Sequence, residues 1–380
     1  MKILRSTHTV NPARGGPIES IRQSSAALRR RGHEVEIVSL DSPNDPWVRD
    51  APAPVHALGP GLGSYGYSSR FVPWIKKHRA EFDAVIVQGL WQYSSFGVWR
   101  ALARTPTPYF VFPHGMLDPW FKRTYPLKHV KKLFYWPWGE YRVLRDAAAV
   151  LFTSEEERRL ARESFGLYRC KEVVVNYGTA EPANLENARA AFFDAFSKLR
   201  GQRFLLYLGR LHEKKGCDLL IEAFRKIPNS SEPIHLVMAG PCAQPDYLRH
   251  LQDLAAASSS LISFPGMLTG DVKWGALTAA EAFVLPSHQE NFGIAIAEAL
   301  ACGTPVLISN KVNIWREIEA DGAGYVENDD LAGATSLLNR WFATGSDARI
   351  AMAQNARNCF ANRFEIERAT DSLLNVIAHP

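Results

Sequence analysis

The chain has 380 residues, 46% of them apolar and 22% charged, a length that allows two domains with separate cores and a composition that excludes intrinsic disorder. Its five cysteines are scattered without a C-x-x-C pair, which argues for a reducing compartment and against a structural zinc, and no apolar run approaches the ~18–20 residues of a membrane span. The net charge of +5 is unevenly spread: residues 1–180 hold 26 Lys and Arg against 16 Asp and Glu, while residues 181–380 hold 18 against 23, so the first half suits an anionic partner.

Residues 1–8 are too polar after Leu4 for a signal segment and read as a first strand, which places the protein in the cytoplasm. Further apolar or β-branched runs follow at 34–40, 83–88, 108–112, 147–153 and 172–176. A helix is expected over 17–31, with Pro17 at its start and Gly32 at its end. Strand and helix in alternation imply a parallel, doubly wound α/β sheet. Residues 41–81, rich in Pro, Gly and Ser, read as a long excursion at the mouth of this domain. A linker is expected from Asn176 to Asn187, after which the pattern restarts with strands near 204–209, 234–240, 261–266, 282–286, 305–309 and 324–327. Residues 330–378 read as helical throughout. The expected domains are 1–180 and 188–362, followed by a C-terminal helix over 363–380.

Several segments carry chemistry. Gly15-Gly16 joins the first strand to the first helix, where paired glycines let the backbone approach a ligand; a plain tight turn explains them equally well. Neither this segment nor Gly59-Pro60-Gly61-Leu62-Gly63 is a dinucleotide fingerprint, which leaves a dehydrogenase poorly supported. His114 follows an apolar strand in a Gly-containing loop at the ligand-facing edge of such a sheet; Asp118 reads as either a second polar contact or a turn cap. Residues 120–136 interleave five basic side chains with aromatics. That pattern suits an interfacial helix on anionic lipid, a nucleic-acid groove, or a packed helix with a solvated basic face.

In the second half, Arg210 and Lys215 lie at a strand end and a helix start, where both can converge on one anion. Two fixed cations stabilise the charge that gathers on a departing diphosphate. The usual alternative is a metal ion held by Asp-x-Asp, and the chain contains no such triplet. The block from Leu285 to Val306 reads strand, loop, helix, strand, with Glu290 in the loop and Glu298 eight residues later in the helix. The helix start between them offers free N–H groups and a positive dipole end to a phosphate. Glu298 is then placed for a vicinal diol and Glu290 for hydroxyls on the other side, which is the layout of a nucleotide sugar.

Gly209-Arg210…Lys215-Gly216, the block Pro286-Ser287…Glu290-Asn291-Phe292-Gly293…Glu298-Ala299…Gly303-Thr304-Pro305-Val306, and the early Gly15-Gly16 resemble glycosyltransferase family 4, the group 1 transferases of GT-B fold. The resemblance implies two Rossmann-like domains facing a cleft, the last helix returning to the first domain, and retaining, metal-independent transfer from a nucleotide-diphosphate sugar with no cofactor. By matching position it implies that Arg210 and Lys215 hold the diphosphate, that Glu298 binds the ribose, and that Glu290 sits at the sugar with the backbone of Asn291, Phe292, Gly293 and Ile294. Gly15 and Gly16 would pass close to the donor, His114 would lie near the reacting carbon, and Met267 and Leu268 would face the base. The acceptor class it suggests is a glycan or a polyprenyl-diphosphate-linked sugar for cell-surface polysaccharide. The basic-aromatic stretch at 120–136 would then touch the inner face of the plasma membrane, with no nucleic-acid partner. A nucleotide-sugar 2-epimerase of the same fold and a non-catalytic nucleotide-sugar-binding subunit are the rival readings.

Overall fold

Two parallel sheets, each belonging to its own compact unit, organise the chain; the structure is a computed structural model that describes residues 1–227, 233–256 and 261–379. Unit 1 comprises Met1–Gly178 and Ile366–Pro380, and unit 2 comprises Thr179–Glu365.

In unit 1 the strands are β1 (Lys2–Ser6), β2 (Glu34–Ser39), β3 (Val55–Ala57), β4 (Ala84–Gln88), β5 (Tyr109–Phe112), β6 (Ala149–Phe152) and β7 (Glu172–Val174). They pair in parallel in the order β3-β2-β1-β4-β5-β6-β7. Side chains alternate across the sheet, so Leu4, Val85 and Val111 enter one core while Ile3, Ile37, Ile86 and Phe110 enter another on the opposite face. Both faces are covered, which is why these strands read as continuous apolar runs. The second core is closed by helix Gly16–Arg30 and by the C-terminal helix Ile366–Ala378, whose Leu373 and Ile377 join it. Arg30 and Arg31 at the end of the first helix pair with Glu367, and Arg31 also with Asp371.

The excursion at 41–81 is more ordered than its composition suggests. It contributes β3, held at the sheet edge by Ile37 pairing with Val55, and helix Phe71–His78, whose Phe71 and Ile75 are fully buried.

Unit 2 has β8 (Arg203–Leu208), β9 (Ile234–Ala239), β10 (Ile262–Gly266), β11 (Ala282–Leu285), β12 (Val306–Ser309) and β13 (Gly324–Glu327). Their order is β10-β9-β8-β11-β12-β13, again in parallel. Polar side chains set several of the helix starts: Ser154, Asn184 and Asp330 each accept a backbone N–H from the first turn that follows. Each sheet reverses its strand order once, between β1 and β4 in unit 1 and between β8 and β11 in unit 2. Ligands of open α/β sheets bind at the carboxyl ends of strands beside such a reversal.

Candidate active site

The reversal in unit 2 brings together the two loops that the sequence singles out. After β8 the chain passes Gly209, whose carbonyl lies so close to Gly240 that a Cβ there would fall 1.8 Å from it. Arg210 follows, exposed, its guanidinium without a hydrogen-bond partner among the described residues. The short turn Glu213–Lys215 is capped by His212, whose Nδ1 accepts from the Lys214 N–H at 3.0 Å. Gly216 then takes a left-handed conformation (φ +63°) and opens helix Cys217–Arg225. A Cβ at Gly216 would sit 2.2 Å from the Pro286 carbonyl, so the β8 and β11 loops meet at backbone distance.

Side chains stitch this meeting together. The Lys214 carbonyl accepts from the His288 N–H at 2.8 Å and the Ser287 hydroxyl at 3.0 Å, and Lys214 Nζ donates to Gln289 Oε1 at 2.8 Å. Lys215, buried, pairs through its ammonium with the Glu290 carboxylate. Glu290 is fixed from behind: its N–H donates to the Lys311 carbonyl at 3.0 Å and its carbonyl accepts from Asn313 N–H at 3.0 Å. Burial alone would raise the Glu290 pKa, but the charges of Lys215 and Lys214, with hydrogen bonds from Lys215 and the Asn291 N–H, hold it below the ordinary carboxylate value. Glu290 is therefore an anion held against a buried cation.

Gly293, at φ +73°, opens helix Ile294–Ala301 with no side-chain cap on its first turn, and Phe292 beneath it is buried edge-on to Phe364. Glu298, on that helix and 2% exposed, accepts from Lys273 Nζ at 2.6 Å. Lys273 belongs to helix Gly270–Ala279, which follows β10. The loop between them holds Met267, exposed, and Leu268, buried. The structure thus sets Arg210, Lys215, Glu290, Asn291, Phe292, Gly293, Ile294, Met267 and Leu268 at the carboxyl edge of one sheet, with Glu298 a short way into the helix that starts there. Three partners went unforeseen: Lys273, Gln289 and Asn313. Gln289 lies in the Leu285–Val306 block with no role assigned to it, and Lys273 and Asn313 stand in no motif; Lys273 is one lysine on a helix whose facing residue is set only by tertiary packing.

In unit 1 the corresponding edge carries Gly15, Gly16 and His114. Gly15 sits at φ +84° and starts helix Gly16–Arg30 without a side-chain cap. His114 adopts φ +50°, unusual for a residue with a side chain. Its ring lies parallel to Phe112 and edge-on to Tyr177, with Nε2 2.6 Å from Gln88 Oε1. Burial, and then the charge of Arg5, push its pKa down to about 4, so the imidazole is neutral at physiological pH. Next to it the Gly115 N–H donates to Glu157 at 2.6 Å, which anchors the loop. Asp118 accepts from the Trp120 N–H at 2.8 Å, the turn-capping role.

Residues 120–136 form helices Trp120–Thr124 and Pro126–Tyr135. Leu127 and Phe134 stand 81% and 78% exposed, with Val130 and Leu133 between them and Trp138 just beyond. Lys122, Arg123, Lys128 and Lys131 are exposed beside them, whereas Lys132 turns inward over the Trp91 ring at 4.3 Å. Among the described residues no helix is long and apolar enough to cross a membrane, and no group of three or more His, Cys, Asp or Glu side chains is placed to hold a metal ion.

Two doubly wound units, each with a glycine-opened helix at the carboxyl edge of its sheet, define a two-domain α/β architecture. The family described as Glycosyl transferases group 1 matches residues 189–359, and the Glycosyl transferase 4-like domain matches residues 15–178. The chain belongs to the group 1 glycosyltransferases and is a glycosyltransferase of GT-B fold. Among curated relatives, it is 26% identical to the D-inositol 3-phosphate glycosyltransferase of Xylanimonas cellulosilytica, over 96% of this chain and 91% of that one. Among solved structures, it is similar to sucrose-phosphate synthase from Thermosynechococcus elongatus, with a TM-score of 0.80, 20% identity and coverage of 100% and 98% of the two chains. HepE of Anabaena, solved in complex with UDP and glucose, superposes with a TM-score of 0.79 at 16% identity, over 100% of both chains.

Proposed function

We propose that this glycosyltransferase moves a hexose-type sugar from a nucleotide-diphosphate sugar to a hydroxyl of a glycan or lipid-linked acceptor, with retention and without a metal. The observation that carries the reading is the buried Lys215–Glu290 pair beside the uncapped start of helix Ile294–Ala301, with Arg210 exposed at the neighbouring strand end. An ammonium has three donors, so Lys215 can keep Glu290 and still donate to a phosphate oxygen. Arg210 adds a second cation, and the free N–H groups of the helix start add a third source of positive potential. That HepE binds UDP and UDP-glucose supports a nucleotide sugar as the donor class.

In this reading Glu298, held by Lys273, accepts from the ribose diol, since a carboxylate has more acceptor positions than one lysine fills. Glu290, anionic and immobile, accepts from hydroxyls of the donor sugar together with the Asn291–Ile294 backbone. Met267 and Leu268 face the base. The acceptor oxygen attacks the anomeric carbon on the face the diphosphate leaves. As the C–O bond to phosphate breaks and the new C–O bond forms, the departing phosphate oxygen takes the acceptor's proton. Arg210 and Lys215 draw off the developing charge, the work otherwise done by a divalent cation.

The test is donor turnover across a panel of UDP-, GDP- and ADP-sugars, with and without chelator, in the wild type and in Arg210→Ala and Lys215→Ala. A chelator-resistant activity on one donor class is expected, lowered about 10²-fold or more in each variant, the scale of losing an electrostatic stabiliser. Near-normal turnover in both variants, or full loss on chelation, overturns the reading. The exposed Leu127–Phe134 face with its flanking lysines supports a peripheral seat on anionic lipid, where a lipid-linked acceptor would be presented.

A further inference from the structure

Arg5 occupies a position in β1 where the strand pattern calls for an apolar side chain. It shares a sheet face with Ile3, and its register partners Ile37 and Ile86 belong to the apolar core on that face. The side chain is 2% exposed, makes no hydrogen bond among the described residues, and has both Nε and Nη2 buried without a partner. Burying a guanidinium this way is costly unless an anion or strong acceptor meets it. The group remains a cation at neutral pH: burial lowers its pKa only to about 10.

The guanidinium lines a small cavity at the strand-order reversal of unit 1, together with Gln88, Ser20, Ser24, Tyr177 and Thr370. No Asp or Glu contributes to this lining. Most of its polar groups are already engaged: the Ser24 hydroxyl donates to the Ser20 carbonyl at 2.6 Å, the Thr370 hydroxyl to the Ile366 carbonyl at 2.8 Å, and the Tyr177 phenol is hydrogen-bonded to Ser20. The Asn176 side chain, the other amide of the lining, is exposed, and the buried groups without a partner among the described residues are donors: the Arg5 guanidinium and Gln88 Nε2, while Gln88 Oε1 faces His114. Turning the Gln88 amide over would offer Arg5 one neutral carbonyl oxygen and leave the charge unbalanced. The space holds roughly one or two water-sized groups, enough for a planar carboxylate end and too little for a sugar ring.

We propose that Arg5 and Gln88 form a carboxylate-binding subsite at the carboxyl edge of the unit 1 sheet, directly behind His114. The guanidinium fork matches the two oxygens of a carboxylate, and Gln88 Nε2 supplies a further donor on the side toward His114. Occupancy fixes the orientation of Gln88 and so, through its Oε1, the tautomer of His114. The carboxylate comes either from a free small acid or from a sugar acid whose ring stays outside. The subsite does not rest on the transfer reaction proposed above, because binding alone reads its occupancy.

The experiment is thermal denaturation of the full chain titrated with sodium formate, acetate or glucuronate, against sodium chloride at matched ionic strength. Formate is expected to raise the Tm saturably where chloride does not, and Arg5→Met to weaken that response at least about tenfold, the loss of a charged hydrogen-bonding partner. Arg5→Met is also expected to melt higher than the wild type in carboxylate-free buffer, since it removes an unbalanced buried charge. Should that variant fail to fold, Gln88→Leu gives the same reading, with formate binding weakened several-fold. An Arg5-dependent response to glucuronate identifies a sugar acid as the source, and one to formate or acetate alone identifies a free acid. The absence of a saturable carboxylate response in the wild type, or its survival undiminished in Arg5→Met and Gln88→Leu, overturns the proposal.

Discussion

Glu140 is a buried carboxyl outside the candidate site. It is fully buried, with Oε1 accepting from the Trp91 N–H at 2.8 Å and the Ser95 hydroxyl at 2.9 Å, while Oε2 has no partner among the described residues. Burial raises its pKa to about 7, against the smaller opposing pull of those two hydrogen bonds. A carboxyl whose folded pKa lies above its unfolded value binds its proton more tightly when folded. Its contribution to stability is therefore complete below the unfolded pKa and lost as pH rises to about 7. The ceiling is about 3 kcal/mol, from the span between 4.5 and about 7. Glu140→Gln keeps the oxygen that Trp91 and Ser95 use and removes the titration. Urea denaturation at pH 5 and pH 8 should show a fall in stability in the wild type that shrinks by about 2 kcal/mol in the variant; equal falls in both would mean that Glu140 ionises as a free carboxylate. Nothing in the sequence marks Glu140 in this way, and Arg5 shows only as a charge at an apolar position of the first strand; the environment of each comes from residues far along the chain. Lys215 and Glu290 were legible because each lies in a loop that runs from an apolar strand to a glycine-opened helix, at Gly216 and Gly293, and such glycines mark where backbones and ligands come close.

At the level of elements, strands buried on both faces were readable as apolar runs, and the start of the first helix from Pro17. β3 was not, because a three-residue edge strand after Ala51-Pro52-Ala53-Pro54 has no room for alternation. Its existence depends on β2 offering an open edge. Helix Pro126–Tyr135 illustrates the opposite limit. Its basic and aromatic content was plain, but which lysines face outward was not: Lys132 is drawn onto Trp91, leaving Lys122, Arg123, Lys128 and Lys131 as the exposed charges. If this face rests on lipid, Leu127 and Phe134 should enter the headgroup layer while Lys128 and Lys131 stay beside it, each worth ~1 kcal/mol near an anionic surface. Vesicle flotation should then show binding to anionic but not zwitterionic vesicles. Leu127→Ser with Phe134→Ser should abolish it, and Lys128→Glu with Lys131→Glu should reduce it at least about tenfold. All four side chains are exposed, so the Tm should hardly move. Undiminished flotation of both variants would remove the membrane from the account.

For the molecule as a whole, the alternation of strand and helix and its restart near residue 200 announced two doubly wound sheets. What alternation cannot announce is which sheet a distant segment completes. The tail from 330 onward read as helical throughout, yet it breaks at Thr344-Gly345 and again at Glu365; the return of the last helix to the first domain came from the family resemblance and not from the pattern, and Ile366–Ala378 belongs to unit 1. The physical reason lies on that helix. Leu373 and Ile377 fill the core beside Ile3, Ile37 and Phe110, and Glu367 and Asp371 meet Arg30 and Arg31. The ion pairs are largely exposed and contribute modestly; the burial of Leu373 and Ile377, each worth roughly 1.5–3 kcal/mol, dominates. Removing residues 366–380 should therefore destabilise the sheet made by residues 2–174 and leave the sheet made by residues 203–327 intact, although the cut is far closer in sequence to the second. Limited proteolysis followed by mass spectrometry would resolve the two. In the shortened chain, cleavage should move into residues 1–178 while a fragment spanning about 179–365 persists. Substituting Leu373 and Ile377 with Ala in the full chain should give a weaker version of the same pattern, about 2–5 kcal/mol per site at a core position. Cleavage concentrated in residues 179–365 instead would show that the helix stabilises its sequence neighbours and that its packing against Ile3 and Ile37 is incidental.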